Sequence, residues 1–172
     1  MVIGILIFLV FQPAGAASSD VDQWCYNPPG TDCSWYKQCL VKRFPCEAAN
    51  DSYAIGFGDT ICNDFGKNRP DFSDLGKRWI DETRACLQKQ LVPLLSRDNM
   101  TCQGIQKFAF QTHSYCYSTP PKGSPSFCDL PFSDWLHISW IVKQSLFRET
   151  SETVKQILQI LGSCASTGLF GK

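Results

Sequence analysis

Residues 72–95 read FSDLGKRWIDETRACLQKQLVPLL, and this stretch decides the predicted fold. Its apolar residues recur at steps of three and four, which places them on one face of an α-helix. They are Phe72, Leu75, Trp79, Cys86, Leu87, Leu91, Leu94 and Leu95. Ser73 can cap the first turn, and Pro93 should kink or end the helix because its nitrogen carries no hydrogen. We therefore predict a helix that buries Trp79 and Cys86.

The same spacing resumes after Thr101, which is a second candidate for a helix cap. The apolar positions that follow it are Ile105, Phe108, Ala109, Thr112 and Cys116. This predicted helix has a cysteine near each end, Cys102 and Cys116. Cysteines that face inward on both helices can join them to neighbouring segments.

A loop and a third helix are predicted next along the chain. Residues 118–131 contain four prolines and one glycine, which favours a loop. Ser133-Asp134 can then cap a helix. The apolar residues of that helix are Trp135, Ile138, Trp140, Ile141, Val142 and Leu146.

A fourth helix is predicted to begin at Thr150 or Ser151 and to end at Gly162, before Cys164. Its apolar residues are expected to face inward: Val154, Ile157, Leu158 and Leu161. No stretch of the chain combines sustained alternation of apolar and polar residues with hairpin turns, which disfavours a β-sandwich. The predicted fold class is mainly α.

Composition and charge narrow the classes of function. The chain has 172 residues, of which 44% are hydrophobic, so one domain with a filled core is expected. Sixteen basic residues balance sixteen acidic ones, and the formal net charge is zero. Nonspecific binding to nucleic acids or to anionic membranes requires a broad positive field. We therefore expect no nucleic-acid partner.

The first residues, MVIGILIFLVFQPAGA, have the pattern of a secretory signal peptide. An apolar run from Val2 to Phe11 is too short to span a bilayer comfortably, and Ala14-Gly15-Ala16 offers the small residues that a signal peptidase reads. We expect residues 1–16 to be removed and residues 17–172 to form a single domain. No later segment is apolar enough for membrane insertion, so a secreted, extracellular protein is predicted.

Ten cysteines in a secreted chain are expected to form five disulfides. Four of them, at positions 25, 33, 39 and 46, crowd a loop-rich, cysteine knot-like N-terminal segment. No CxxC or His-rich spacing is present, so no metal site is predicted. Two sequons, at Asn50 and Asn99, predict glycosylation in exposed loops.

The segment around His113, QTHSYCY, resembles the helix of the catalytic histidine in secreted phospholipases A2. In that family an acidic residue follows the histidine, whereas Ser114 follows it here, and no glycine-rich calcium loop precedes it. We interpret His113 as an ordinary helix histidine beside a disulfide. His137 is interpreted as a partly buried, hydrogen-bonded structural residue. Since no nucleophile motif is present, no enzymatic activity, catalytic residue or cofactor is predicted.

The stretch from Cys62 to Cys102 resembles stanniocalcins, which are secreted glycoprotein hormones. The resemblance rests on Phe72-Ser73, Gly76-Lys77, Trp79-Ile80 and Cys86-Leu87. It rests more strongly on the intervals of 23, 15 and 13 residues between successive cysteines from Cys62 to Cys116. The resemblance implies five disulfides: Cys25–Cys39, Cys33–Cys62, Cys46–Cys102, Cys86–Cys116 and Cys128–Cys164.

The chain departs from the stanniocalcin pattern after Cys164. Stanniocalcins continue to an unpaired cysteine that joins two subunits, and this chain has no such cysteine. No intermolecular disulfide is therefore expected, and a noncovalent homodimer remains open.

The resemblance implies a nonenzymatic hormone or extracellular binding protein that acts on an unknown receptor or extracellular protein. The resemblance further implies one of two roles known in the family: regulation of calcium and phosphate, or protease inhibition through partner binding. A cysteine-rich venom or defence toxin and an extracellular or skeletal matrix protein are the alternatives, because both would share the signal peptide and the disulfides.

Overall fold

The computed structural model describes residues 21–46, 53–118, 122–146 and 150–166. These residues form α-helices and shorter helical turns and contain no β-strand, which confirms the mainly α, disulfide-stapled fold. The expected signal peptide, residues 1–16, lies outside the described residues. The α-helices are α1 (Thr60–Asn68), α2 (Asp74–Leu91), α3 (Cys102–Ser118), α4 (Phe132–Leu146) and α5 (Thr150–Ser166).

Helix α2 begins and ends as its sequence predicts. The hydroxyl of Ser73 accepts a hydrogen bond from the backbone N–H of Gly76, so Ser73 is the N-cap. Trp79 and Cys86 are buried on its inner face. The α-helix stops at Leu91, and Pro93 lies in the 3₁₀-helix Val92–Ser96 that follows.

Helix α3 begins after Thr101, whose hydroxyl accepts a hydrogen bond from the N–H of Gly104. Ala109 and Cys116 on its inner face are fully buried. The predicted cap and period of this helix are therefore confirmed.

Two predictions for the C-terminal helices are wrong. Helix α4 begins at Phe132, so Ser133 and Asp134 lie inside its first turn instead of before it. Helix α5 continues through Gly162 to Ser166. The backbone of a glycine inside a helix remains helical when tertiary contacts on either side hold it, here including the disulfide at Cys164.

The expected inward orientation of two leucines on α5 is also wrong. Leu158 is 64% exposed and Leu161 is 37% exposed, whereas Ile160 and Cys164 face the core. The side chains of Val154 and Ile157 lie outside the described residues.

The N-terminal segment contains short helices between its loops. A 3₁₀-helix spans Gln23–Tyr26, and π-helices span Tyr36–Val41 and Tyr53–Asp59. The second π-helix leads directly into α1. Trp35 and Leu40 from this segment are fully buried, so the N-terminal half contributes its own part of the core.

The core consists of two clusters of buried side chains. One gathers the N-terminal segment, the turn after α2 and the first half of α3, with Trp35, Leu94 and Phe110 among its members. The other lies between α1, α2 and the C-terminal helices, around Trp79 and Ile138. Phe57 packs against both clusters and so connects them.

Candidate functional site

All ten cysteines are paired in the structure. The disulfides are Cys25–Cys39, Cys33–Cys62, Cys46–Cys102, Cys86–Cys116 and Cys128–Cys164. These are the five pairs that the stanniocalcin resemblance implies. They join the N-terminal segment to α1 and α3, α2 to α3, and the turn before α4 to α5. Each cross-link restricts the unfolded chain and so stabilises the folded domain. We call the five disulfides and the segments they join the disulfide frame.

Arg84 of α2 holds the N-terminal segment beside the Cys33–Cys62 bridge. Its side chain is buried and donates to the backbone oxygen of Thr31 at 2.8 Å. The same guanidinium donates to Sγ of Cys33 at 3.1 Å and to Sγ of Cys62 at 3.4 Å. Burial lowers the pKa of Arg84 from its ordinary value. We assign this arginine a structural role, since its donors satisfy a carbonyl and two sulfur atoms of the frame.

One predicted glycosylation site lies in a suitable place. Asn99 is exposed in the short segment between the 3₁₀-helix after α2 and the start of α3. The segment is fixed from both sides, because Arg43 donates to the backbone oxygen of Arg97 at 2.9 Å and Thr101 caps α3. Asn99 is thus accessible on an anchored turn. The other sequon, at Asn50, lies outside the described residues.

His113 lies in the interior, on the inner face of α3. Its side chain is 2% exposed and stacks between the rings of Phe57 and Tyr117, with centroid distances of 5.6 Å to each. The ring of Phe110, one turn earlier, contacts it edge-on at 5.3 Å. The imidazole therefore acts as a packed aromatic ring at the junction of the two core clusters.

A small cavity adjoins His113 and is lined largely by aromatic side chains. Its volume is about 20 Å³, and its walls include Tyr36, Tyr53 and Tyr117. Burial raises the pKa of these three phenol groups above the ordinary value of 10.0. A space of this size has room for about one water molecule, so a phospholipid head group does not fit beside His113.

The second histidine, His137, is partly buried as predicted, but one of its ring nitrogens lacks the predicted hydrogen bond. His137 on α4 is half-buried, and its ring contacts that of Phe72 edge-on at 5.3 Å. The predicted hydrogen bond is not found at its Nδ1 atom, which is buried and has no partner among the described residues. The packing of the ring against Phe72 at the start of α2 orients it.

The carboxylates of α1 and α2 do not converge. Asp81 forms an ion pair with Arg69 at 2.7 Å, and Asp74 forms one with Lys77 at 3.3 Å. Within the described ranges, no group of three or more His, Cys, Asp or Glu residues is placed to hold a metal ion.

Among the residues that the structure describes, helix α4 carries an exposed apolar face. Phe132, Leu136 and Trp140 are 70%, 55% and 66% exposed. They follow each other at intervals of four residues and so form one ridge along the helix. We call these three residues the α4 apolar face. Large exposed apolar side chains in a row are typical of interaction surfaces.

This face could have been found from the sequence. Helix α4 has apolar residues on two faces, because Ile138 and Ile141 are buried while Leu136 and Trp140 are exposed. A helix that is apolar all round is typically buried on every side. Helix α4 contacts the core on one side only, so some of its apolar residues are exposed. The sequence indicates this because the polar residues of 132–143 do not gather on one face of the helix.

Three features of the described surface are available for contact with other molecules. The candidate features are the exposed Asn99 turn, the α4 apolar face and the disulfide frame that supports both. None of the helices in the described part of the chain is both long and apolar enough to cross a membrane. No family model, curated protein or solved structure matches the chain.

Proposed function

We propose that this protein is a secreted, nonenzymatic, stanniocalcin-like glycoprotein that acts by binding an extracellular protein or receptor. The observation that carries the proposal is the set of five disulfides, which has the pairing implied by the stanniocalcin resemblance. Many disulfides favour an oxidising, extracellular environment. By the same resemblance, the proposed role is in calcium and phosphate homeostasis.

A rigid frame also supports binding. A domain held by five cross-links loses little conformational entropy when a partner docks, so a modest contact area gives useful affinity. Asn99, on the anchored turn before α3, supplies an attachment site for glycan on this frame.

The proposal is tested by the binding of labelled, natively oxidised protein to intact transporting epithelial cells. Saturable binding that unlabelled protein displaces, together with a change in calcium or phosphate flux, is the expected result. The matched control is the same protein after reduction and alkylation, which should neither bind nor compete. Lysis of the cells would favour the toxin alternative, and binding to hydroxyapatite without cell binding would favour the matrix alternative; either would contradict the proposal.

The nonenzymatic part of the proposal has its own test. Because His113 is enclosed by Phe57, Phe110 and Tyr117, we expect no calcium-dependent release of fatty acid from phospholipid vesicles. Release by the wild-type protein that is lost in a folded His113→Gln variant would contradict this. His137→Gln serves as the matched control.

A further inference from the structure

We propose that the small cavity beside His113 binds a single chloride ion. We call it the phenol cavity, because Tyr36, Tyr53 and Tyr117 are among the residues of its walls. Arg84 lies in the same walls and would balance the charge of the ion. The site is in the interior, so the proposal does not depend on which partner the surface of the protein binds.

The walls of the phenol cavity come from segments that are distant in the sequence. Tyr36 and Tyr53 lie on the two π-helices, Arg84 lies on α2 and Tyr117 lies on α3. The disulfide frame joins the N-terminal segment to α1 and joins α2 to α3. The cavity is therefore a product of the tertiary fold and is held by cross-links on two sides.

The phenol hydroxyls of this cavity lack hydrogen-bond partners. Tyr36, Tyr53 and Tyr117 are only 3%, 6% and 9% exposed. Within the described ranges, none of their hydroxyl groups forms a hydrogen bond with another residue. A buried hydroxyl without a partner is unfavourable, and native proteins seldom contain several of them together. Three such donors around one space point to a bound group that accepts their hydrogen bonds.

The phenol oxygens also lie near one another. Burial is the main cause of the raised pKa of Tyr36, and the nearby phenol of Tyr117 raises this pKa further. Burial likewise raises the pKa of Tyr53, and the phenols of Tyr36 and Tyr117 add to the effect. Two phenol groups influence each other in this way only when their oxygens are close. One small guest can therefore contact more than one of them.

Arg84 brings a positive charge that the described residues do not neutralise. Its side chain is 8% exposed and forms no ion pair with a described carboxylate. Asp81, one turn earlier on α2, is already paired with Arg69 at 2.7 Å. The hydrogen bonds of Arg84 go to a backbone oxygen and two disulfide sulfurs, all of which are neutral. A buried cation of this kind is stabilised by a counter-ion.

The size and the chemistry of the cavity select chloride. A volume of about 20 Å³ has room for about one water molecule, and a chloride ion is only slightly larger, whereas phosphate, sulfate and carboxylates do not fit. The described residues that line the cavity include no carboxylate to repel an anion. A water molecule accepts at most a pair of hydrogen bonds. Chloride accepts one from each hydroxyl at once, and its charge strengthens each of them.

The first test compares thermal unfolding of the full, oxidised chain in about 150 mM sodium chloride and in sodium gluconate of equal ionic strength. Gluconate is too large for the cavity. For a dissociation constant of roughly 10–50 mM, the unfolding midpoint should be about 2–6 °C higher in chloride. Bromide should act as chloride does, because it differs little in size.

The second test uses variants that remove the hydroxyls and keep the rings. Tyr36→Phe, Tyr53→Phe and Tyr117→Phe should each reduce the difference between chloride and gluconate, and the triple variant should abolish it. Tyr115→Phe, at an exposed tyrosine of α3, is the matched control and should keep the full difference. General effects of the two salts cancel in this comparison, because they act alike on wild type and variant.

A further pair of variants tests the charge. Arg84→Gln removes the cation and should abolish the difference between the two salts. Arg78→Gln, at an exposed arginine of the same helix, is its control and should retain the difference. Circular dichroism checks that each variant is folded, and the phenylalanine variants decide the matter if Arg84→Gln is not.

The third test locates the ion. Crystals of the wild-type chain grown in sodium bromide should show an anomalous scattering peak enclosed by the phenol oxygens of Tyr36, Tyr53 and Tyr117. Three results would overturn the proposal: equal unfolding midpoints of the wild type in chloride and gluconate, a difference that the triple variant retains in full, or a cavity that holds water in the bromide crystals.

Discussion

The carboxyl group of Asp134 on α4 accepts two hydrogen bonds from Ser73, the N-cap residue of α2. The backbone N–H of Ser73 donates to Oδ1 at 3.1 Å, and its hydroxyl donates to Oδ2 at 2.6 Å. Asp134 is buried at this contact. One side chain therefore joins the first turn of α4 to the first turn of a helix 61 residues earlier in the chain.

Removal of this carboxyl group should destabilise the whole domain. Asp134→Ala leaves the N–H and the hydroxyl of Ser73 without their acceptor in a buried place, and we expect a loss of about 2–3 kcal/mol in the free energy of unfolding. Urea unfolding monitored by circular dichroism measures it. Asp74→Ala, at an exposed carboxylate on the same turn of α2, should cost less than about 1 kcal/mol. Equal losses in the two variants would refute the structural role of Asp134.

The close approach of α4 to α2 depends on Gly76. A methyl group at this position would overlap with the Asp134 carboxylate and touch the ring of Phe72 at 3.0 Å. We expect Gly76→Ala to destabilise the protein by about 1–3 kcal/mol. Gly162→Ala is the matched control, because nothing lies within 4 Å of its added methyl group. There alanine should stabilise α5 by about 0.5–1 kcal/mol, so thermal unfolding midpoints should move in opposite directions.

Gly30 joins the N-terminal segment to α2 by direct backbone contact. Its φ is +82°, and an added Cβ would overlap with Ala85. Gly123 has a similar φ of +96° but no atom within 4 Å of an added Cβ. Gly123→Ala should therefore lower the free energy of unfolding only by the cost of a left-handed backbone conformation for alanine, about 1–2 kcal/mol. Gly30→Ala should cost clearly more or reduce secretion, and a smaller effect than Gly123→Ala would contradict the contact with Ala85.

Helices α2 and α3 were predictable because the residues that define each one are close together in the sequence. In α2, Ser73, Trp79 and Cys86 lie within four turns, so the helical spacing of the apolar residues and one N-cap are enough to predict the helix. Thr101 and Cys116 set α3 in the same way. The stanniocalcin resemblance added the pairing of the cysteines, which spacing by itself leaves open.

The remaining features depend on contacts between distant segments. Asp134 has the sequence pattern of an N-cap, yet its partner is Ser73, and only the packing of α4 on α2 brings the two together. The periodicity of α5 predicts an inward position for Leu158. The side of the helix that faces the core is instead the one that carries Ile160 and Cys164. The π-helices at residues 36–41 and 53–59 have no simple sequence signal, since buried aromatic packing stabilises them.

Alkaline pH should weaken the fold through its buried tyrosines. Burial raises the pKa of Tyr36, Tyr53 and Tyr117, so the folded state keeps protons that the unfolded state releases above pH 10.0. Stability from these groups is complete below that pH and falls as the pH rises, by up to about 1.4 kcal/mol per pH unit for each phenol. Urea unfolding between roughly pH 8 and pH 11 measures the slope. A variant with phenylalanine at all three positions should have a much flatter profile; an unchanged slope would assign the effect to other groups.

Peptide mapping of the unreduced, secreted protein tests the central claim most directly. Digestion without reduction, followed by mass spectrometry, identifies which cysteine peptides remain joined. The expected pairs are Cys25–Cys39, Cys33–Cys62, Cys46–Cys102, Cys86–Cys116 and Cys128–Cys164, within a single chain. A bridge from Cys86 to any residue other than Cys116 would contradict both the helical frame and the stanniocalcin-like function proposed from it.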